Sequence, residues 1–261
     1  MQSRPWQRHY DWNVPETIKY PRVMAHEMLG ISVSAYPDKP ATNFFGTELT
    51  FWELRSQILR MAHALGEAGV RKGDRVGVHL PNCPQYIISY YASLFLGAIV
   101  VNLNPMYTVD ELKGLTTNTT VSTLITFDMV LPNVRALCQA VEIERVIVTR
   151  VTDYIDGFGQ STPQELELEE GWLHFSTMLE ASTHTTLPRV EMSVNDPALI
   201  QFTGGTTGLP KGAVLTHANL VAAAIQCSLW GSATTDLTPP EKRSVMAVLP
   251  YFHVYGTIVV L

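Results

Sequence analysis

The stretch "DRVGVHLPNCPQYIISYYASLFLGAIVVNL" (residues Asp74–Leu103) indicates the fold class. Its first residues alternate apolar and other side chains, which is typical of a strand. The run that follows is nearly apolar and about long enough to span a bilayer. However, Pro84 precedes it, and after Gly97 the residues change to β-branched types. We therefore predict a strand, a buried helix over 84–95 and a buried strand over 98–103, rather than a transmembrane helix.

Strand and helix patterns continue to alternate on both sides of this stretch. Thr50 with Glu53, and Thr108 with Glu111, have the spacing of capping boxes and predict two helix starts. The first of these helices is expected to stop at Gly69. Further strands are predicted at 122–127, 145–149, 198–203, 212–217 and 245–250, with helices over 133–140 and 218–230. This alternation predicts an α/β fold with helix-covered, mostly parallel sheets.

Two segments interrupt the pattern. Residues 1–48 contain several prolines and are predicted to be irregular, apart from a short hairpin in "ATNFFGTELT". Residues 152–190 contain the acidic run "ELELEEG" and a Ser/Thr-rich stretch, and are predicted to be a surface excursion with one short helix. We predict a first α/β subdomain over 1–190 and the start of a second over 191–261.

The composition of the chain restricts its possible partners and cellular location. The chain has 261 residues, a net charge of −6 and a pI near 5.7, which argues against a nucleic-acid partner. Cys83, Cys138 and Cys227 are widely spaced and are predicted to be core thiols of a reducing compartment rather than disulfides or zinc ligands. The N-terminus lacks the apolar region of a secretory signal. These features predict a cytoplasmic protein, with peripheral contact at the inner membrane left open.

The segment "QFTGGTTGLPKGAVLTH" (Gln201–His217) carries the chemistry. Glycines allow close backbone approach to a ligand, threonines add hydroxyl groups, and Lys211 adds a positive charge suited to phosphate oxygens. The order Pro-Lys-Gly differs from the Walker A motif, and the GxGxxG order is absent. From composition, both a phosphate cradle and a plain flexible turn remain open. His217 is expected to cap the helix that follows.

"FTGGTTGLPKG" resembles the phosphate loop of the AMP-forming adenylate-forming enzymes, which include acyl-CoA synthetases, peptide-synthetase adenylation domains and firefly luciferase. Three further blocks resemble this family in the expected order: residues 49–86, "SLFLGAIVVNLNPMYT" and "LPYFHVYG". Gly204, where many members carry Ser, and "LPYFHVYG" are most similar to bacterial long-chain fatty-acid–CoA ligases. The resemblance implies the N-terminal part of the family's large domain.

The resemblance also implies ATP, Mg²⁺, CoA and a fatty acid as cofactors and substrates. His253 would lie beside the acyl carboxylate and the adenylate; the alternative is a satisfied core histidine. Thr203 would contribute to the magnesium shell; the alternative is a simple strand-end residue. The residues implied to hold the β- and γ-phosphates are Thr203, Gly204, Gly205, Thr206, Thr207, Gly208 and Lys211.

Family members are longer than this chain. The later adenine-binding block, the acidic magnesium ligand and the C-terminal domain with its adenylation lysine are not in the 261 residues. We therefore expect the chain not to complete the reaction alone, and expect its apolar end "TIVVL" to pack against the missing C-terminal part. Two alternatives stay open: a stand-alone nucleotide-binding or interaction protein, and an aryl-acid or amino-acid adenylating enzyme.

Overall fold

The computed structural model describes residues 4–156, 166–203 and 210–259. Within these ranges, a separate antiparallel hairpin stands beside a seven-stranded sheet with the order β7-β6-β5-β3-β4-β8-β9. Its strands are parallel except β9, which pairs antiparallel with β8. The strands are β1 (Pro40–Phe44), β2 (Thr47–Thr50), β3 (Arg75–Val78), β4 (Ile99–Asn102), β5 (Thr123–Phe127), β6 (Arg145–Thr149), β7 (Leu173–His174), β8 (Pro197–Thr203) and β9 (Lys211–Thr216).

Helices cover both faces of this sheet. They are α1 (Ala25–Ala35), α2 (Phe51–Glu67), α3 (Pro84–Phe95), α4 (Val109–Thr119), α5 (Leu131–Ala140), α6 (Phe175–Ala181), α7 (His217–Thr235) and α8 (Val254–Val259). Successive side chains of a strand point to opposite faces, so Val100 joins the core under α1, α2 and α3, whereas Val101 joins the core under α4 and α5. The predicted α/β class is confirmed.

The stretch Asp74–Leu103 forms a β3–α3–β4 unit, as predicted. β3 and β4 pair in parallel, with Val76 opposite Val100. Every residue of α3 is buried within the protein, so its apolar run covers the sheet. Over the part of the chain that the structure describes, no helix combines the length and apolar character needed to cross a bilayer.

Local signals placed both ends of α2 and the start of α4 correctly. The Thr50 Oγ1 accepts from the Glu53 amide at 3.1 Å, while the Glu53 carboxylate accepts from the Thr50 amide at 2.8 Å. Thr108 and Glu111 repeat this pattern at the start of α4. Gly69 follows α2 with a φ of +97°, which a residue with a Cβ rarely adopts. Both capping boxes and the β1–β2 hairpin are confirmed.

Three predicted segments differ from the structure. α1 lies within the region predicted to be irregular; its N-cap is Met24, which provides no side-chain hydroxyl signal. Within 152–190, β7 extends the sheet and Phe175 is buried, so the segment is more than a surface excursion. Residues 245–250 form no strand, because no described strand lies beside them to pair with.

Two single-residue predictions were also wrong. Cys227 is exposed, although Cys83 is buried and all three thiols are free. Thr216, not His217, caps α7, since its Oγ1 accepts from the Asn219 amide at 3.2 Å. The His217 Nδ1 instead accepts from the Ala25 amide at 3.3 Å and thereby links α7 to α1.

β8 and β9 extend the sheet formed by β3–β7, and the division into subdomains at residue 190 stays a prediction.

Candidate active site at the carboxyl ends of β4 and β8

The candidate site lies beyond the carboxyl ends of two neighbouring parallel strands. Asn102 ends β4, and Thr203 ends β8. Open α/β sheets bind ligands at this edge, because loops and helix starts converge there. The antiparallel partner β9 begins at the same edge with Lys211, which pairs with Thr203.

Thr203 and Lys211 hold the two ends of the predicted phosphate loop. The Thr203 hydroxyl donates to the Lys211 carbonyl oxygen at 3.3 Å, and both residues are exposed. Among the described residues, the Lys211 ammonium has no ion-pair partner. The other predicted phosphate ligands lie outside the described residues: Gly204, Gly205, Thr206, Thr207 and Gly208.

A buried network of side-chain amides lies next to this edge of the sheet. The Asn102 Nδ2 donates to the Gln201 Oε1 at 2.9 Å and lies 3.2 Å from the Thr257 Oγ1. The Gln201 Nε2 in turn donates to the Phe252 carbonyl oxygen at 2.9 Å. The network therefore joins the ends of β4 and β8 to the segment 249–256, which carries His253.

Tyr86 extends the network from α3. Its hydroxyl donates to the Asn102 Oδ1 at 2.6 Å and lies 2.9 Å from the Tyr251 carbonyl oxygen. Burial raises the pKa of Tyr86 well above its ordinary value of 10.0, so the phenol remains a protonated donor. The Thr257 hydroxyl also donates to the Tyr251 carbonyl oxygen, at 2.5 Å.

Asn82, which lies just before α3, holds the backbone of residues 247–251 in place through its side chain. Its Oδ1 accepts from the Tyr251 amide at 2.8 Å. Its Nδ2 donates to the carbonyl oxygens of Ala247 and Leu249, each at 2.8 Å. One side chain thereby holds three points of the backbone in register.

Gly256 lies in close contact with the backbone of Pro250, so the chain makes a tight turn between these two residues. A Cβ at this position would lie 2.1 Å from the Pro250 carbonyl oxygen, a separation that real Cβ atoms do not show. The tight return from Pro250 to Gly256 therefore requires glycine. This turn also brings the Thr257 hydroxyl into hydrogen-bond contact with Asn102 and the Tyr251 carbonyl oxygen.

His253 lies in this return, immediately before α8. Its amide donates to the Pro250 carbonyl oxygen at 3.1 Å, and its Nδ1 accepts from the Tyr255 amide at 3.4 Å. The ring is exposed, so the alternative of a core histidine does not hold. Because Nδ1 is an acceptor, a neutral ring carries its proton on Nε2. Its place beside a substrate carboxylate stays a prediction.

Sequence reasoning missed the residues that hold the site together: Asn82, Tyr86, Asn102, Gln201, Thr257 and Gly256. A signal existed for two of them. Asn102 and Gln201 are polar residues inside apolar strand patterns, and buried polar side chains need hydrogen-bond partners. The contact between them could not be predicted from the sequence, because 99 positions separate the two residues.

The residues present fit a nucleotide-bound magnesium ion better than a metal cage. No three His, Cys, Asp or Glu side chains of the described ranges cluster as metal ligands. The Thr203 hydroxyl, which donates to the Lys211 carbonyl, keeps lone pairs and could supply one neutral oxygen. Mg²⁺ ordinarily retains several waters and substrate phosphate oxygens, so one protein ligand suits such a site.

Comparison with known proteins connects this geometry to a family. The model of the AMP-binding enzyme family matches residues 31–261. The chain belongs to the AMP-binding enzyme family. Within it, the chain is similar to a long-chain-fatty-acid–CoA ligase of Bacillus subtilis, with 35% identity over 275 residues, covering 100% of this chain and 48% of that protein.

Solved structures of the family share the fold. A long-chain-fatty-acid–CoA ligase (FadD1) from Archaeoglobus fulgidus matches with a TM-score of 0.75 and 25% identity, over 96% of this chain and 47% of that one. ATP-bound MatB from Rhodopseudomonas palustris matches with a TM-score of 0.72 and 20% identity, over 91% and 42% of the two chains. This chain therefore has the fold of the family's N-terminal domain and spans about half the length of its relatives.

Proposed function

We propose that this chain contributes the phosphate-binding half of an AMP-forming fatty-acid–CoA ligase. The observation that carries the proposal is the pairing of Thr203 with Lys211 at the carboxyl edge of the sheet. This pairing holds the ends of a Gly- and Thr-rich loop where α/β folds bind ligands. The similarity to long-chain-fatty-acid–CoA ligases supports the choice of substrate class.

The proposed reaction has two steps. A fatty-acid carboxylate attacks the α-phosphorus of ATP, which forms the acyl-adenylate and releases pyrophosphate. The CoA thiol then attacks the acyl carbon, which forms the thioester and releases AMP. The first step brings two anions together, so fixed donors and positive charge near the phosphates lower its barrier.

Lys211 and the loop are proposed to hold the β- and γ-phosphates. The Lys211 ammonium has no ion-pair partner among the described residues, so it is available as a point charge for phosphate oxygens. Thr203 is proposed as the protein oxygen on Mg²⁺, whose charge would offset that of the phosphates when bound. The buried network under residues 249–256 is proposed to hold His253 beside the carboxylate.

Nucleotide binding by the 261-residue chain tests the loop assignment. Lys211→Met is expected to weaken MgATP binding about tenfold or more, because it removes a charged phosphate contact. Lys113→Met is the matched control, since Lys113 is also an exposed lysine, on α4. Equal ATP affinity for Lys211→Met and Lys113→Met would contradict the assignment.

Exchange of pyrophosphate into ATP tests the reaction and its acid substrate. The 261-residue chain is expected to show no exchange, whereas a polypeptide that continues through the second half found in relatives is expected to exchange with fatty acids. Exchange only with aryl acids or amino acids would favour that alternative substrate class. ATP binding without exchange by the longer polypeptide would favour the nucleotide-binding alternative.

A further inference from the structure

A cavity lies at the opposite edge of the sheet from the candidate site. Its volume is about 360 Å³, and it opens between α1, α2, the end of α3 and residues 187–192. Phe95, which ends α3 just before β4, forms part of the wall, and Met192 packs beside Gly97. This size falls within the range of small-molecule sites.

Six of the ten described residues that line this cavity have apolar side chains. The apolar lining consists of Met24, Phe95, Leu187, Pro188, Val190 and Met192. Three polar side chains join them: His26, Glu27 and Arg55. Glu27 already has a structural role, since its carboxylate accepts from the Met24 amide at 2.6 Å and caps α1.

His26 is almost fully buried but has no hydrogen-bond partner among the described residues. The residue is 6% exposed, and its Nδ1 is buried without a donor or acceptor among the described residues. Burial and the neighbouring His217 lower the pKa of His26 to about 4, so the ring is neutral at pH 7. The enclosed Nδ1 cannot be reached from the cavity, so Nε2, which has no partner among the described residues, is the nitrogen that can carry the N–H and donate to a ligand oxygen.

Arg55 is the second group without a partner. It is half-buried and makes neither an ion pair nor a side-chain hydrogen bond in the described part of the chain. Its guanidinium has five N–H donors in a planar fork that matches a carboxylate. Of the two charged groups in the lining, the Glu27 carboxylate is engaged by the Met24 amide, whereas the Arg55 guanidinium remains available to a small anionic ligand.

We propose that this cavity binds a small apolar monocarboxylate, with its hydrocarbon part against the apolar walls and its carboxylate on Arg55 and His26. The site is separate from the proposed reaction centre, because it lies at the amino-terminal edge of the parallel strands. The proposal therefore stands or falls independently of the proposed ligase function.

Calorimetric titration of the 261-residue chain with octanoate and with octanol tests the charge contact. Octanoate is expected to bind at least about tenfold more tightly than octanol at pH 7. Arg55→Gln is expected to remove this preference and leave octanol binding unchanged. Equal affinity for the two compounds in the unmodified chain, or no binding of octanoate, would overturn the proposal.

Filling the cavity from α1 tests its location. Gly30 lies within α1 and lines the cavity, and a Cβ at this position would meet no atom within 4 Å. Gly30→Leu is therefore expected to abolish octanoate binding without unfolding the chain. Gly114→Leu is the matched control, because Gly114 is also helical and also has open space at its Cβ position, but lies in α4.

Nuclear magnetic resonance of the His26 ring provides a further readout. A bound carboxylate favours the charged imidazolium, so the pKa of His26 is expected to rise when octanoate is added. Lys211→Met is expected to leave this response intact, which separates it from the loop assignment. Octanoate binding with unchanged His26 titration, or equal binding by the Gly30→Leu and Gly114→Leu variants, would place the ligand elsewhere and overturn the proposal.

Discussion

The side-chain amide of Asn102 donates to the carboxamide oxygen of Gln201 at 2.9 Å, across two strands of one sheet. Both residues are buried, at 2% and 6% exposure. Gln201 also bonds to Phe252 in the segment that carries His253, and Asn102 bonds to Thr257, which directly follows that segment. One amide pair thus fixes the distance between the sheet edge and that segment.

Replacing Asn102 by Ala is expected to destabilise the protein by about 2–4 kcal/mol, because it breaks a buried hydrogen-bond network. The Gln201 carboxamide oxygen loses its donor, and the Tyr86 hydroxyl keeps only the Tyr251 carbonyl oxygen as an acceptor. Urea unfolding measures the change. Asn118→Ala, on the exposed face of α4, is the control and is expected to change the free energy of unfolding by less than about 0.5 kcal/mol. A similar loss in both variants would argue against the network.

Replacing Gly256 by Ala is expected to displace residues 250–256, because the new Cβ would overlap the Pro250 carbonyl oxygen. We expect a loss of about 1–3 kcal/mol in the free energy of unfolding. Gly114→Ala is the control, since its Cβ position is open and alanine favours helices. Unfolding of the two variants, followed by circular dichroism, should therefore shift in opposite directions, and equal midpoints would contradict this account.

Replacing Thr50 by Ala is expected to cost about 1 kcal/mol at pH 7 through loss of the α2 cap. Hydrogen bonds from the backbone and side chain of Thr50 lower the pKa of Glu53 below its ordinary value of 4.5. Their contribution is therefore present above pH 4.5 and disappears as pH falls through the lowered pKa. The difference between Thr50→Ala and the unmodified chain should shrink in acid. Thr117→Ala, exposed on α4, should show no such pH dependence.

Buried histidines are expected to destabilise the protein as pH falls from 6.5 towards 4. Burial lowers the pKa of His79 to about 4, so the unfolded chain takes up a proton first and is favoured over this range. For His79 this amounts to about 2 kcal/mol between pH 7 and pH 5. His79→Gln should flatten the pH dependence of urea unfolding, whereas His9→Gln, on the surface, should not. An unchanged slope in His79→Gln would disprove the assignment.

Elements with local signals were predictable, and those that depend on distant partners were not. Thr50 and Glu53 are three residues apart and fixed the start of α2 from sequence alone. α1 begins without a polar N-cap, and β7 has only two residues, so neither carried a local pattern. Residues 245–250 have strand-like composition, but a strand needs a neighbour, and the described residues provide none.

The sequence by itself determined the α/β class, the capping boxes of α2 and α4 and the Gly-Thr-Lys loop between β8 and β9, because these depend on residues close together in the chain. Only the tertiary structure decided that Asn102 meets Gln201, that Tyr86 and Thr257 complete their hydrogen bonds, and that Arg55 and His26 line one cavity. The reason is physical: burial requires each polar group to find a partner, and sequence spacing does not reveal which distant group the packed chain brings to it.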